Sequence, residues 1–441
     1  MRIPWKKDNE RIKILALDGG THGFTWLLCL REIEEDNPGF LAETDVFTGS
    51  SFGGFCSLYF ARHMGSLERG QSALALIDGC VAFMKELLYF VPDQAAFDRL
   101  REGREAMYSH DDMEKVLTDP KHLGDSCLGD LHRRVILSTC GTKRPSWYPK
   151  VYDNLDEADQ KVRCSEVALE SSALPIFLPT RNGLANGSLG GTNGSLHGLT
   201  HVVGADQPVP LEDIVLLSLG SDALTSSLAN TISPWEGGEP VPRKLSFDAI
   251  LQPKPEHAQA LAMLEKKMAA LWKDLETHTK HTPAGATGKA PYGAEPMHAH
   301  EVAASPEKGS MSWGWRQWLL YEPSPLFFYQ VVTNNQVLDA ARQVQLLLGE
   351  RAFRLAPSAL LNYGQILFMT FLGNAEASDT IFRVAELTAE LWADPESSRA
   401  FEFKPTVDET EAFIDTQWMP QNKPMRSFRE RLSGWRRMRS G

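Results

Sequence analysis

Ser51 stands at the centre of a pentapeptide that could carry nucleophilic chemistry. Gly49, Ser51 and Gly53 fit the pattern G-x-S-x-G within the segment DVFTGSSFGGFCSLYF at residues 45–60. In a strand–turn–helix context this pattern is a nucleophile elbow, a strained turn that presents a serine hydroxyl and needs small neighbours. A helix starting just after Ser51 would aim its N–H groups and positive dipole end at the site, which suits a developing oxyanion. The alternative is an ordinary Gly/Ser turn.

A second glycine-rich segment follows the first apolar run of the chain. Residues 12–17 (IKILAL) have the apolar character of a buried parallel strand, and residues 24–35 carry a helical apolar stripe. The loop between them reads DGGTHG and contains Gly19, Gly20 and Gly23. Such a loop can direct backbone N–H groups at an anion. The G-x-G-x-x-G spacing of a dinucleotide site is not met, which favours an oxyanion hole serving the serine.

Other segments supply the elements that must position these residues. The apolar run RVILST at 134–139 is predicted as a parallel strand. Residues 73–90, 108–117 and 376–394 are predicted as helices, and Ser109 could cap the second of them.

This order of segments resembles the patatin-like phospholipase family. The likeness lies in a Gly-rich loop after the first strand, followed about thirty residues later by an Asp-led strand and G-x-S-x-G. The family loop is usually D-G-G-G-x-R-G, whereas this chain is one glycine shorter and has His22 in place of the arginine. Residues 165–179 (SEVALESSALPIFLP) resemble the family's helix followed by Ser-Ala-x-Pro, an aromatic residue and a proline. IVLLSLG at 214–220 resembles the strand that closes the family's core sheet. The resemblance covers residues 13–221.

The resemblance implies an α/β protein with a three-layer α/β/α fold, a mainly parallel central sheet and C-terminal helical elaborations. It implies hydrolysis of a phospholipid or another acyl lipid through an acyl-serine intermediate on Ser51, with no metal or organic cofactor. The loop that holds Gly19, Gly20 and Gly23 would form the oxyanion hole. A Ser-Asp dyad performs the chemistry in this family, and the aspartate stands in a D-G-G or D-G-A motif.

The acid of that dyad is missing from this chain. Asn186, Gly187 and Ser188 align with D-G-G, and an alternative register places Asn193 at the acid position. In either register the conclusion is the same, because residues 181–204 contain no Asp or Glu. A carboxylate can take the proton of a serine hydroxyl, whereas a neutral carboxamide cannot. The hydrolase is therefore expected to be impaired as written.

Several explanations of Asn186 stay open. The asparagine is an introduced inactivating substitution, or the chain is a natural inactive relative that binds or regulates lipid, or another group acts as base. The nearest candidate bases are His197 and His201, although an ordinary surface role is expected for each. Deamidation of the Asn186-Gly187 dipeptide would also create an acid. An ordinary Ser-His-Asp α/β-hydrolase is less favoured, because the elbow comes early and follows the Gly-rich loop.

Composition excludes some classes of function. The chain has 441 residues, 42% of them hydrophobic, and a net charge of −12, which argues against a general nucleic-acid binder. Its six cysteines form no C-x-x-C pair or zinc spacing, so free thiols in a reducing compartment are expected. Residues 1–13 lack an apolar segment of signal-peptide length, and no stretch reaches the ~18 apolar residues of a membrane span. The expectation is a cytoplasmic protein.

Three regions are expected along the chain: a patatin-like core at 1–224, a helical extension at 225–424 and a basic amphipathic tail at 425–441. Within the extension, 277–310 reads as a flexible insertion whose histidines could bind a metal, although a polar loop is the favoured interpretation. The tail combines arginines with an apolar face, which suits peripheral contact with an anionic membrane. Docking on the acidic body and a disordered end are the alternatives.

Overall fold

A sheet of seven strands forms the centre of the computed structural model. The residues that the structure describes are 11–20, 23–88, 95–96, 99, 105–142, 148–191, 193–206, 208–220, 327–357, 375–400, 403 and 405–420.

The strand order is β4-β3-β2-β1-β6-β7, and β5 pairs with β3 outside this path. The strands are β1 (Ile12–Leu17), β2 (Val46–Gly49), β3 (Arg134–Gly141), β4 (Tyr148–Asp153), β5 (Leu184–Asn186), β6 (Ile214–Leu219) and β7 (Ala352–Leu355). Pairings among β1, β2, β3, β6 and β7 are parallel, whereas β4 and β5 run antiparallel to β3. The sheet is thus mixed and mainly parallel, and the α/β class expected from the sequence is confirmed.

Helices cover both faces of this sheet. They are α1 (Gly23–Asp36), α2 (Ser51–Glu68), α3 (Ala73–Leu87), α4 (Asp111–Thr118), α5 (Cys164–Ser172), α6 (Ser195–Val203), α7 (Phe327–Leu348), α8 (Ala375–Ala393), α9 (Pro395–Ala400) and α10 (Val407–Phe413). Side chains of β1 alternate between two clusters: Leu15 and Leu17 pack with α1–α3, whereas Ile14 and Ala16 pack with α6 and α7. Burial on both faces explains why the central strands are mostly apolar.

Most of the predicted elements are present. The strands expected at 12–17, 134–139 and 214–220 are confirmed, as are the helices at 24–35 and 376–394. The helix predicted over 73–90 ends at Leu87. The helix predicted over 108–117 begins only at Asp111, because His110 takes the N-cap position; Ser109 Oγ still accepts a hydrogen bond from the Asp111 N–H at 3.3 Å.

Segments beyond residue 224 contribute to the same sheet and core. Strand β7 pairs with β6, and the Phe382 ring of α8 meets Phe24 of α1 edge-on at 5.6 Å between centroids. Trp418 is fully buried and stacks on Phe40 at 5.0 Å. The boundary expected at residue 224 stays a prediction. The insertion at 277–310 and the tail at 425–441 lie outside the described residues.

No helix in the described part of the chain is long and apolar enough to span a bilayer. The six cysteines are all free, and five of them are buried.

Candidate active site

Ser51 occupies a strained backbone position at the junction of β2 and α2. Strand β2 ends at Gly49, Ser50 is extended with φ −148° and ψ 157°, and Ser51 then begins the helix with φ +51°. A non-glycine residue in the left-handed region is uncommon and costs on the order of 1–3 kcal/mol. The predicted strand–turn–helix conformation is therefore observed, and its strain falls on the serine of G-x-S-x-G.

The two glycines of this motif are required by close contact with β1. A Cβ on Gly53 would lie 2.0 Å from the carbonyl oxygen of Leu17, and one on Gly49 would lie 2.6 Å from the same oxygen. Both distances are far shorter than a van der Waals contact, and the atom in the way is backbone. Any larger residue would push the elbow away from the first strand.

The Gly-rich loop after β1 lies against the elbow. A Cβ on Gly19 would stand 2.9 Å from Ser50 O and 3.4 Å from Ser51 Cβ, so the loop backbone approaches within contact distance of the serine. Gly20 has φ +112°, a conformation that favours glycine. Gly23 begins α1 against the Phe52 ring, where a Cβ would be 2.2 Å from Phe52 Cδ1. Thr21 and His22 are outside the described residues.

Asn186 ends the short strand β5 beside the same elbow. Its register on β3 places it opposite Thr139, and its side chain is 2% exposed. A Cβ on the following residue, Gly187, would lie 2.8 Å from Ser50 Cβ, which brings the Asn186-Gly187 turn to the elbow. The Asn186 Oδ1 atom accepts a hydrogen bond from the Ser188 N–H at 2.8 Å. Among the described residues, no hydrogen bond joins Ser51 Oγ to Asn186.

Asn193, the alternative candidate for the acid position, has a different environment. Its Oδ1 atom accepts from the Ser195 N–H at 2.7 Å, and its Nδ2 atom donates to Ser218 Oγ at 3.1 Å. The next residue, Gly194, accepts a hydrogen bond from Thr48 Oγ1 at 3.0 Å. The Asn193 carboxamide therefore connects the start of α6, through Ser195, to β6, through Ser218.

The two candidate histidines are placed differently. His201 Nδ1 lies 3.5 Å from Asp153 Oδ2, and Asp153 also pairs with Arg134, the first residue of β3. Arg134 pairs with Val46 at the start of β2, whereas Ser51 follows the other end of β2. His201 is therefore poorly placed to serve as the base for Ser51. His197 lies beside Gly191, where an added Cβ would be 3.4 Å from His197 Nε2. The pKa of His197 is lowered, mainly because its side chain is buried and also because His201 is nearby.

Ser171 of α5 contacts the backbone of the candidate nucleophile directly. The Ser51 N–H donates to Ser171 Oγ at 2.9 Å, and Ser171 Oγ donates to Ser138 O at 3.1 Å. Sequence reasoning singled out the segment around Ser171 but not this residue. Nothing in the sequence distinguishes it from Ser172, because the contact depends on how α5 packs against α2 and β3.

Arg354 of β7 is a second residue that sequence reasoning missed. Its Nη2 atom lies 2.7 Å from Asp18 Oδ2, at the start of the Gly-rich loop, and its Nη1 atom donates to Ser218 Oγ at 2.9 Å. Since Asn193 donates to the same hydroxyl, one guanidinium joins the Gly-rich loop to the loop before α6. The sequence did not indicate the partner of this arginine, because Asp18 lies 336 positions away.

The chemistry available in this arrangement is that of a serine hydroxyl beside backbone N–H groups and a carboxamide. Over the residues that the structure describes, no group of three or more His, Cys, Asp or Glu side chains is arranged to hold a metal ion. The arrangement therefore presents a serine hydroxyl and backbone N–H groups, and the Asn186 carboxamide is not a base.

Comparison with known proteins gives distant sequence relatives. No family model matches the chain. Protein teg of Priestia megaterium is 26% identical over 234 residues, which are 51% of this chain and 68% of that protein. CotR of Bacillus subtilis, named as a candidate sporulation hydrolase, is 25% identical over 236 residues, 51% of this chain and 67% of CotR. This chain is thus similar over half its length to a protein whose name describes a hydrolase.

Among solved structures, the crystal structure of VipD from Legionella pneumophila matches 92% of this chain and 79% of the VipD chain. The identity is 11% and the TM-score is 0.26. At that TM-score the match carries no argument about a shared fold. The class of this protein rests instead on its own sheet and elbow: an α/β protein with a serine at a strained strand–helix turn.

Proposed function

We propose that this chain is a lipid acyl hydrolase of the patatin-like phospholipase type, impaired in its present sequence by Asn186. One observation carries the proposal: Ser51 has a strained positive φ at the start of α2, in contact with the Gly19 loop and beside the Asn186-Gly187 turn. The resemblance of these segments to the patatin-like family and the similarity to CotR, named as a hydrolase, support it.

The proposed reaction proceeds through an ester on Ser51. The Oγ atom attacks the acyl carbonyl of the lipid, its proton passes to a base, and the tetrahedral intermediate collapses with loss of the lipid alcohol, which takes up that proton. Water then attacks the acyl-serine by the same route and releases the fatty acid. Backbone N–H groups of Gly19 and Gly20 would stabilise the oxyanion in both steps, with Gly23 anchoring the end of their loop.

Position 186 is where the base belongs in this scheme. A carboxylate there would accept the Ser51 proton, whereas the Asn186 carboxamide has no basic lone pair at neutral pH. Its Oδ1 atom is also occupied by the Ser188 N–H. Loss of the aspartate that only orients the histidine base in a Ser-His-Asp triad lowers kcat by roughly 10⁴-fold, so loss of the base itself should also cost several powers of ten. The architecture for acyl transfer would thus be retained while the proton transfer is disabled.

A catalytically inactive lipid-binding or regulatory protein is the second candidate function. The observation that favours it is the same asparagine, since residues 181–204 contain no carboxylate in either register. In this case the elbow and Gly-rich loop would bind an acyl ester without cleaving it. A cytoplasmic location and peripheral membrane contact through the tail at 425–441 are further proposals that rest on the sequence.

The test is hydrolysis of phospholipid and simple esters by three proteins: the chain as written, Asn186→Asp, and Ser51→Ala as the blank. A gain of several powers of ten in Asn186→Asp over the parent supports a disabled hydrolase with the acid at position 186. An active parent that Asn186→Asp leaves unchanged would place the base elsewhere. If neither protein exceeds the blank but both bind lipid vesicles, the binding function is the correct one.

A further inference from the structure

Ser171 connects the backbone of the candidate nucleophile to the strand that carries position 186. Its hydroxyl accepts the Ser51 N–H at 2.9 Å and donates to the Ser138 carbonyl at 3.1 Å. The Ser171 side chain is only 1% exposed, so water does not compete freely for either bond. A hydroxyl is one of the few side-chain groups that can accept and donate at a single atom in this way.

The Ser51 N–H needs such a partner. Ser51 is the first residue of α2, and the first N–H groups of a helix have no acceptor within the helix. A buried N–H without an acceptor costs about 1–3 kcal/mol. Because Ser51 also has a strained φ of +51°, an external hydrogen bond on its N–H helps to hold that conformation. Ser171 Oγ also packs closely against the backbone of α2, since a Cβ on Gly54 would lie 3.3 Å from it.

The second bond of Ser171 ends beside position 186. Ser138 lies on β3 directly before Thr139, which pairs with Asn186. A Cβ on Gly187 would lie 2.1 Å from the Ser138 carbonyl oxygen, so the Asn186-Gly187 turn passes directly over that oxygen. A continuous series of contacts thus joins the Ser51 N–H, through Ser171, to Ser138 of β3, which packs against the Asn186-Gly187 turn.

The bond also restricts which groups can form the oxyanion hole. The Ser51 N–H points at Ser171 and is already used. Candidate donors that remain among the described residues are the N–H of Phe52, which follows the nucleophile, and those of Gly19 and Gly20. Ser171 therefore has a positional role and does not act on the acyl group.

We infer that Ser171 is a positioning residue that sets the distance and orientation between Ser51 and position 186. The inference rests on the proposed function for its catalytic meaning. A displacement of about 1 Å between a nucleophile and its base can reduce rates 10²-fold. The neighbouring Ser172 is the matched control, because it is also buried and its hydroxyl donates only to Leu169 O, within the same helix, at 3.2 Å.

The kinetic test places Ser171→Ala and Ser172→Ala separately in the Asn186→Asp protein. For Ser171→Ala we expect kcat to fall tenfold or more while KM changes by less than about twofold, as expected when only the geometry of reaction is disturbed. Ser172→Ala should retain kcat within about twofold. Equal losses in both variants, or an unchanged kcat in Ser171→Ala, would overturn the positioning role.

A second measurement needs no activity. Hydrogen exchange of the Ser51 amide, followed by mass spectrometry with residue resolution, should be faster in Ser171→Ala than in the parent and unchanged in Ser172→Ala. If Asn186→Asp hydrolyses nothing, the proposed function fails, and the catalytic role of Ser171 fails with it. The exchange measurement would still show whether the hydrogen bond from the Ser51 N–H to Ser171 Oγ is present. If hydrolysis is present and exchange is unaffected, the inference alone is wrong.

Discussion

Arg354 Nη2 lies 2.7 Å from Asp18 Oδ2, an ion pair between residues 336 positions apart in the sequence. The Asp18 side chain is 4% exposed and that of Arg354 is 16% exposed. A Cβ on Gly220 would lie 2.1 Å from the Asp18 carboxylate. The ion pair therefore packs against the backbone of Gly220, where a larger residue would clash with it. Because Asp18 begins the Gly-rich loop, this contact fixes the loop that we propose as the oxyanion hole.

Arg354→Met is expected to lower the free energy of unfolding by about 3–5 kcal/mol, because it leaves the buried Asp18 carboxylate without its cation. Urea denaturation followed by circular dichroism measures the change. Arg383→Met is the control, since Arg383 forms an exposed pair with Glu386 at 2.9 Å, and its loss should cost less than about 1 kcal/mol.

The double variant Asp18→Asn with Arg354→Met distinguishes the ion pair from simple loss of packing. It should recover part of the stability, because no uncompensated charge remains buried. A double variant as unstable as the sum of the two single variants would show that the two side chains do not interact energetically.

Gly53→Ala is expected to destabilise the elbow. Its Cβ would lie 2.0 Å from Leu17 O, so either β1 or α2 must move, and overpacking of this kind costs about 1–3 kcal/mol or more. Gly190→Ala serves as the control, because a Cβ there meets its nearest atom, Gly187 O, at 3.6 Å. Thermal unfolding should separate the two variants clearly. Equal melting temperatures for the two variants would mean that α2 does not approach β1 as closely at Gly53 as the structure shows.

Asp153 is expected to make stability depend on pH in the acid range. Burial acts to raise its pKa, but hydrogen bonds from His201 and Arg134 and the charge of Arg134 outweigh burial and lower the pKa from 3.8 to about 2. A lowered carboxyl pKa adds stability that is present above the unfolded-state pKa and is lost as the pH falls toward 2. The contribution is on the order of 2 kcal/mol.

The measurement is the free energy of unfolding between pH 2 and pH 6 for the parent and for Asp153→Asn. The variant should be less stable near neutral pH and should show a flatter decline between pH 4 and pH 2. Asp112→Asn, at an exposed carboxylate paired only with Lys115, should follow the parent curve. Parallel curves for the parent and Asp153→Asn would refute the assignment.

The parts of the fold that were predictable are those determined by local pattern. Strands β1, β3 and β6 are buried on both faces, so they are mostly apolar, and this composition identifies them. Strand β4 was missed because it lies at the edge, with Tyr148 and its neighbour exposed. Strand β7 spans four residues beside β6, and nothing local separates AFRL from a loop.

The candidate site also has one part that the sequence predicts and another that it does not. The elbow was predictable because G-x-S-x-G is a pattern of five consecutive residues, although the contact with Leu17 O that requires its two glycines is not local. Ser171 and Arg354 were not, because each acts through a partner far along the chain, Ser51 in one case and Asp18 in the other. Such contacts are set by how helices and strands pack, which residue types and spacing do not reveal.

The measurement that tests the central claim most directly is covalent labelling of Ser51. An alkyl fluorophosphonate reacts with an activated serine and adds a fixed mass that intact-protein and peptide mass spectrometry can locate. We expect Asn186→Asp to gain one adduct, on the peptide that contains Ser51, with the parent far slower and the Ser51→Ala, Asn186→Asp double variant unlabelled. No adduct in Asn186→Asp, or an adduct on another residue, would contradict the claim that Ser51 is a nucleophile served by position 186.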